Sequence, residues 1–258
     1  MRITTWNVNG LRAALRKGLP DHLAQIAPDI LLLQEIRVRP DQLPAEWAQP
    51  QGWHTTWHPA EKPGYAGTAV WSRKPHKVVS TGLGDAKPDD EGRVLRIKTD
   101  GVQVASVYLP SGSSSPKRQK AKQAWMKRFM PWAAKIKRAR TPTLIGGDLN
   151  IAHTERDLYY AKSNKNKSGF LPEERAWFGD LLDKGWHDLV REHAGDVDGP
   201  YSWWSNRGQA RKLDRGWRID YLLGNAPAAQ RFTAATTHRA AGLACSDHAP
   251  VSVDLKPA

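Results

Sequence analysis

The stretch Ile30-Leu31-Leu32-Leu33-Gln34-Glu35 decides the fold class. It is a continuous apolar run that stops on an amide and an acid. Such a run reads as a strand buried on both faces, which requires a sheet covered on both sides. Working outward, Ile3 to Val8 reads as a strand. Leu11 to Ile26 reads as a helix, with Leu11, Leu15, Leu19, Leu23 and Ile26 on one face and Pro20 interrupting it. Further strands are expected at Thr68–Trp71, Val94–Lys98, Val102–Leu109, Thr143–Ile145, Ile219–Leu223 and Val251–Leu255. Pro172 to Leu182 reads as a helix, with Pro172 in its first turn and Glu173 and Glu174 placed well for its N-terminus. Strands with mixed helical connections predict an α/β sandwich of layers.

The chain has 258 residues, 39 Lys and Arg, 26 Asp and Glu, and one cysteine. The single Cys245 excludes an internal disulfide framework and fits a reducing, cytoplasmic setting. No apolar run is long enough to span a membrane. The first residues lack the apolar stretch of a secretory signal. The net charge of +13 points to a polyanionic partner. That charge is uneven. Residues 101 to 147 contain no acid, while ten bases lie between Lys117 and Arg140. Trp125, Phe129, Ala133 and Ile136 form an apolar stripe at helical spacing there, and Pro131 is expected to kink or split the helix.

The 12 tryptophans are the other compositional oddity. Trp203, Trp204 and Trp217 are separated by bases and loop formers, a pattern suited to a surface pocket that stacks bases or sugars.

Polar residues stand at the ends of the apolar strands: Asn7 and Asn9, Glu35, Tyr108, Asp148 and Asn150, Asp220, Asp247 and His248. Each alone has an ordinary explanation; Glu35, for instance, could pair with Arg37. Together, acids, amides and a histidine in a basic protein call for a compensating cation. Oxygen donors without cysteine select a hard ion such as Mg²⁺ or Mn²⁺. With a His–Asp pair this is a set for phosphoryl transfer.

Eight blocks carry a resemblance to the exonuclease III / AP endonuclease family, in the family's order. They are Trp6–Arg12, Leu33–Glu35, Gly64–Gly67, Tyr108–Pro110, Gly147–Asn150, Gly169–Arg175, Gly216–Tyr221 and Ser246–Pro250. The resemblance implies one catalytic domain over 1–258: a DNase I-like four-layer α/β sandwich of two packed mixed β-sheets flanked by helices. It implies that Glu35 binds Mg²⁺, with Mn²⁺ as a substitute, and that Asn7 and Asp247 ligate it directly or through water. Asp148 would orient or deprotonate water, Asn150 would position water or phosphate, and Asp220 would orient His248 on a phosphate oxygen. Tyr108 would donate to the phosphate or leaving oxygen. Trp217, Trp203 and Ile219 would form the pocket for a flipped base-less sugar. Tyr65, Arg73, Asn164, Lys167, Arg207 and Arg211 would line the path of double-stranded DNA carrying abasic sites or 3′ ends. A monomer without membrane association is expected.

Two other readings compete. One is a same-fold phosphodiesterase or phosphatase acting on lipid or inositol phosphates. Against it stand the Gly147–Arg175 stretch and the tryptophan block. The other is a non-catalytic DNA-binding module, which loss of Glu35, Asp148, Asp220 or His248 would favour; all four are present.

Overall fold

The structure, a computed structural model, describes residues 1–257. Two six-stranded mixed sheets pack face to face and helices cover their outer faces. In chain order the strands are β1 (Arg2–Asn7), β2 (Ile30–Gln34), β3 (His54–His58), β4 (Thr68–Ser72), β5 (Lys77–Thr81) and β6 (Val94–Thr99). They continue with β7 (Val102–Tyr108), β8 (Thr143–Asp148), β9 (His187–Asp188), β10 (Asp220–Gly224), β11 (Phe232–Thr237) and β12 (Val251–Leu255). One sheet runs β11-β12-β1-β2-β4-β3 and the other β5-β6-β7-β8-β10-β9.

The opening stretch behaves as its composition dictates. Strand side chains alternate between faces. Ile30 and Leu32 point into the layer between the sheets, while Leu31 and Leu33 point at the outer helices. Both faces are dry, so every second position cannot be polar. The same division places Leu144 and Leu222 between the sheets and Ile145, Tyr221 and Leu223 under the helices of the other side.

Three expectations are corrected. The first helical stretch is interrupted as expected, but not at Pro20: it forms two helices, Leu11–Arg16 and Leu19–Ile26. The break falls at Gly18, whose φ of 90° suits glycine, and Pro20 sits in the first turn of the second helix, where it has no hydrogen bond to lose. Pro131 does not split its helix, which runs unbroken from Pro116 to Lys137. Pro131 is on the exposed side, and the buried Phe129, Trp132, Ala133 and Ile136 hold the helix on its sheet across it. Trp204 is not a surface residue but fully buried, donating its Nε1 to Asp214 at 2.8 Å.

Four strands have no counterpart in the sequence reading: β3, β5, β9 and β11. They are the four sheet edges. No helix among the described residues is long and apolar enough to cross a membrane.

Candidate active site

Strand register assembles the site. In one sheet β7 pairs in parallel with β8, and β8 antiparallel with β10, so that Tyr108, Asp148 and Asp220 stand side by side in one row. In the other sheet β1 pairs in parallel with β2, setting Asn7 against Gln34 with Glu35 immediately beyond. The strand ends turn sharply. Asn9, Glu35 and Asn150 all adopt left-handed backbone, with φ of 46°, 51° and 50°. Such conformations cluster where chain geometry serves function. Gly147 is required for a different reason: a Cβ there would lie 1.7 Å from the Val107 carbonyl oxygen.

A continuous polar chain crosses from one sheet to the other. Asn7 Nδ2 donates to Glu35 Oε1 at 3.2 Å and to Asp148 Oδ2 at 2.9 Å. Asp148 also accepts from the Asn150 amide at 2.8 Å and from Asn150 Nδ2 at 3.2 Å. His248 Nε2 lies 3.8 Å from Asp148 Oδ2, and its Nδ1 lies 2.9 Å from Asp220 Oδ2. Ser202 secures Asp220: its hydroxyl donates to Oδ2 at 2.7 Å and accepts the Ile219 and Asp220 amides at 3.1 Å. Tyr108 donates its hydroxyl to Glu35 Oε1, and Arg37 pairs with Glu35 Oε2.

Burial sets the protonation states. Asp148 is fully buried, which pushes its carboxyl up to about 7; His248 opposes that rise, and Asp220 and Glu35 add to it. Burial alone would lower His248, but the carboxylates of Asp220 and Asp148 outweigh it and raise the imidazole to about 10. Burial, reinforced by Glu35 and Asp148, holds the Tyr108 hydroxyl well above its usual value. Burial would raise Asp247, yet His248 and the hydrogen bonds from Trp203 and Asn9 hold it low.

Two groups of donors could hold a cation. Asp148, Asp220 and His248 offer three atoms within 4.8 Å of one another. That trio is a poor metal site: His248 engages Asp220 through Nδ1 and is held protonated, and an imidazolium has no lone pair to give. Glu35 is the better centre. Its carboxylate opens on the cleft and already attracts the Arg37 cation. Asp247 lines the same cleft, its oxygens taken by Asn9 at 2.8 Å and Trp203 at 3.1 Å. Oxygen donors of this kind fit a hard divalent ion. Asn7 is oriented as a donor toward both acids, so direct ligation would require its amide to turn.

The cleft above this chain measures about 880 Å³. Glu35, Tyr108, Asp148, Asn150, Asp247 and His248 lie in it, with Trp203, Trp217 and Ile219 as an apolar wall and Asn164 and Lys167 on the rim. The Trp203 and Trp217 rings meet edge to face at 6.3 Å. Four residues expected on the DNA path are not brought into the cleft. Tyr65 accepts from Arg93 at 3.1 Å, and Arg93 donates in turn to the Tyr108 carbonyl at 2.9 Å. Arg73 lies 3.8 Å over the Trp53 ring. Arg211 braces the His248 loop through the Leu243 and Ser246 carbonyls at 2.6 and 3.0 Å. Arg207 is exposed beyond it. Sequence reasoning missed the role of Ser202 and of Arg93 under Tyr108, while the pairing of Glu35 with Arg37 is the one that their spacing suggested. The pairing of Asn9 with Asp247 carried a signal, since both sit in the polar strand-end blocks.

The sequence matches the family described as Endonuclease/Exonuclease/phosphatase over residues 4–248. The chain belongs to this family. It is 36% identical over 254 residues to the exodeoxyribonuclease of Bacillus subtilis, covering 98% of each protein. It is 35% identical to the DNA repair nuclease APEX1 of Danio rerio, covering 99% of this chain and 82% of that one. Among solved structures it is similar to the 3′-5′ exonuclease NExo of Neisseria meningitidis, with TM-score 0.90, 33% identity and coverage of 99% and 100%. A structure described as the 3′ phosphatase NExo from Neisseria, bound to a product DNA hairpin, matches with TM-score 0.89 at 33% identity, covering 99% of each chain. With these relatives, the chain is an enzyme of the exonuclease III / AP endonuclease kind, a DNA-repair nuclease with the α/β sandwich expected of it.

Proposed function

We propose that this nuclease is Mg²⁺-dependent and cuts duplex DNA 5′ to abasic sites, leaving a 3′-hydroxyl and a 5′ sugar-phosphate. The observation that carries the reading is Asp148: fully buried, raised to about 7, and seated between a protonated His248 and the cleft. A carboxylate whose value lies near neutral pH is suited to take a proton from water at working pH.

Asn7 and Asn150 fix the carboxylate so that one direction remains for water. His248, oriented by Asp220, directs its Nε2 proton toward the cleft and toward a non-bridging phosphate oxygen. Tyr108, neutral throughout, donates to the phosphate or the departing oxygen. Trp203, Trp217 and Ile219 receive the extruded sugar, which without its base is narrow enough for their wall. Asn164 and Lys167 meet the backbone at the rim. Glu35 and Asp247, with Asn7, would hold Mg²⁺, which when bound supplies charge to offset the leaving oxygen. We place the enzyme in the cytoplasm as a monomer on double-stranded DNA, with Tyr65, Arg73, Arg207 and Arg211 contacting the duplex outside the cleft.

Removal of 3′ blocking phosphates and 3′→5′ digestion use the same chemistry, and the activities described for the Neisseria relatives favour them as second activities. A time course on an abasic duplex, a recessed 3′ end and a 3′-phosphate duplex separates the three. Cutting on the 5′ side of the abasic site, lost in EDTA and restored by Mg²⁺, is the expected result. Undiminished cutting in EDTA overturns the metal assignment, and an intact abasic duplex overturns the substrate.

A further inference from the structure

The reaction above leaves one charge pair without a task. Lys122 and Glu174 are fully buried, with Nζ 2.6 Å from Oε1. Lys122 belongs to the basic segment, yet it points inward, away from any polyanion. Isolating two charges from water is costly, and apolar side chains fill such a space without that cost.

Apart from the Gln119 side chain, whose Nε2 donates to Glu174 Oε1 at 2.9 Å, their remaining contacts are with the cleft's own backbone. Lys122 Nζ donates to the Asn150 carbonyl at 2.9 Å. Glu174 Oε2 accepts the Gly169 amide at 2.6 Å and the Leu171 amide at 3.1 Å. Asn150 holds Asp148 from one side, and Gly169 supports the Trp217 ring from the other. A Cβ on Gly169 would meet that ring at 3.1 Å and the Asn150 carbonyl at 3.3 Å. The Gly169 carbonyl closes the circuit by accepting the Ala152 amide at 2.8 Å. Asp148 also helps to keep the Lys122 ammonium charged against the burial that lowers it.

We propose that the Lys122–Glu174 ion pair is a positioning device that fixes the turn carrying Asn150 against the loop carrying Gly169. The acid that activates water and the wall that receives the sugar then share one register. Neither residue touches substrate. The inference rests on the reading of the reaction given above.

The test is the double substitution Lys122→Met with Glu174→Leu, which removes both charges together and leaves no orphaned ion. Hydrogen exchange by mass spectrometry reads the clamp without reference to activity. The Gly169 and Leu171 amides should exchange about tenfold faster or more, as expected when a hydrogen bond to a charged acceptor is lost. Single-turnover cleavage of an abasic duplex reads the consequence. The rate constant should fall about 100-fold, the scale of a small misplacement of reacting groups, while the Kd for DNA stays within about threefold. A merely structural role would lower the amplitude, the fraction of folded enzyme, and spare the rate constant; that outcome overturns the proposal. So does wild-type exchange at Gly169 and Leu171. If the wild-type protein leaves the abasic duplex intact, the reading of the reaction fails, and the exchange result still judges the clamp.

Discussion

Replacing Asp220 with Asn removes one charge and little volume from beneath His248. Asp220 Oδ2 is 2.9 Å from Nδ1, and both side chains are buried. A rise of the imidazole from 6.5 to about 10 favours its charged form by roughly 5 kcal/mol. Among the groups producing that rise, Asp220 contributes most. Leaving a buried cation without its partner costs about 3–5 kcal/mol. Because the folded value lies above the free one, the contribution is fully present below pH 6.5 and fades as pH rises through about 10. Urea denaturation in EDTA should therefore show Asp220→Asn less stable by about 3 kcal/mol at pH 6, with a gap that narrows from pH 6.5 upward and has closed by about pH 10. Cleavage at pH 7 should fall about 100-fold, and the alkaline limb of the rate profile should move toward neutrality. A stability gap independent of pH, together with an unmoved alkaline limb, would refute the assignment of Asp220 as the group that holds His248 charged.

Asp148→Asn should retain DNA binding by gel shift within a few-fold while losing nearly all cleavage; full activity sinks its role as the water-activating acid. Trp217→Ala should reduce abasic cleavage by about 10- to 100-fold, the worth of about 1.5–3 kcal/mol of buried apolar contact with the sugar, relative to removal of a 3′-phosphate by the same preparation. An unchanged ratio argues against a pocket built on Trp217. Gly147→Ala forces a Cβ into the Val107 carbonyl and should destabilise the protein by about 3 kcal/mol or more, visible as a lowered Tm. A wild-type Tm would show that β7 and β8 can separate freely where Gly147 faces Val107.

The eight strands legible in the sequence are the eight interior strands of the two sheets, and the four that were not are the edges. Most interior strands are dry on both faces and announce themselves as apolar runs; β6, with Arg96 half-buried and Lys98 exposed, still keeps four of its six residues buried. An edge strand such as Lys77–Thr81 has an exposed lysine and valines half in water, so its composition resembles a loop. The continuity of the helix through Pro131 is not legible, because the sequence shows a missing amide donor but not the sheet that holds the neighbouring turns. At the site, individual residues were legible because each ends an apolar strand. Their mutual distances were not, since strand pairing fixes them: Asp148 and Asp220 become neighbours only through the β8–β10 register. Lys122 shows the same limit. In a row of bases nothing distinguishes the one that turns inward to meet Glu174, 52 positions away.

The buried acids divide by the company they keep. Asp157 is as inaccessible as Asp148, but Arg218 and Arg191 reach it at 2.7 and 2.6 Å and hold its carboxyl far below the usual range. Arg218 also pairs with Asp188 at 2.8 Å, closing a structural network in which every charge is answered. Asp148 has no arginine or lysine partner. Its nearest cation is His248 at 3.8 Å, and that imidazolium already belongs to Asp220. A protein of charge +13 has bases to spare for Asp148, as Asp157 with its two arginines shows. Supplying one would fix the carboxylate as a permanent anion and remove its capacity to take a proton from water near neutral pH. In the proposed reaction the excess charge serves the outside, where a phosphate backbone can use it, and the acid in the cleft stays without a base because its proposed task, taking a proton from water, depends on that imbalance.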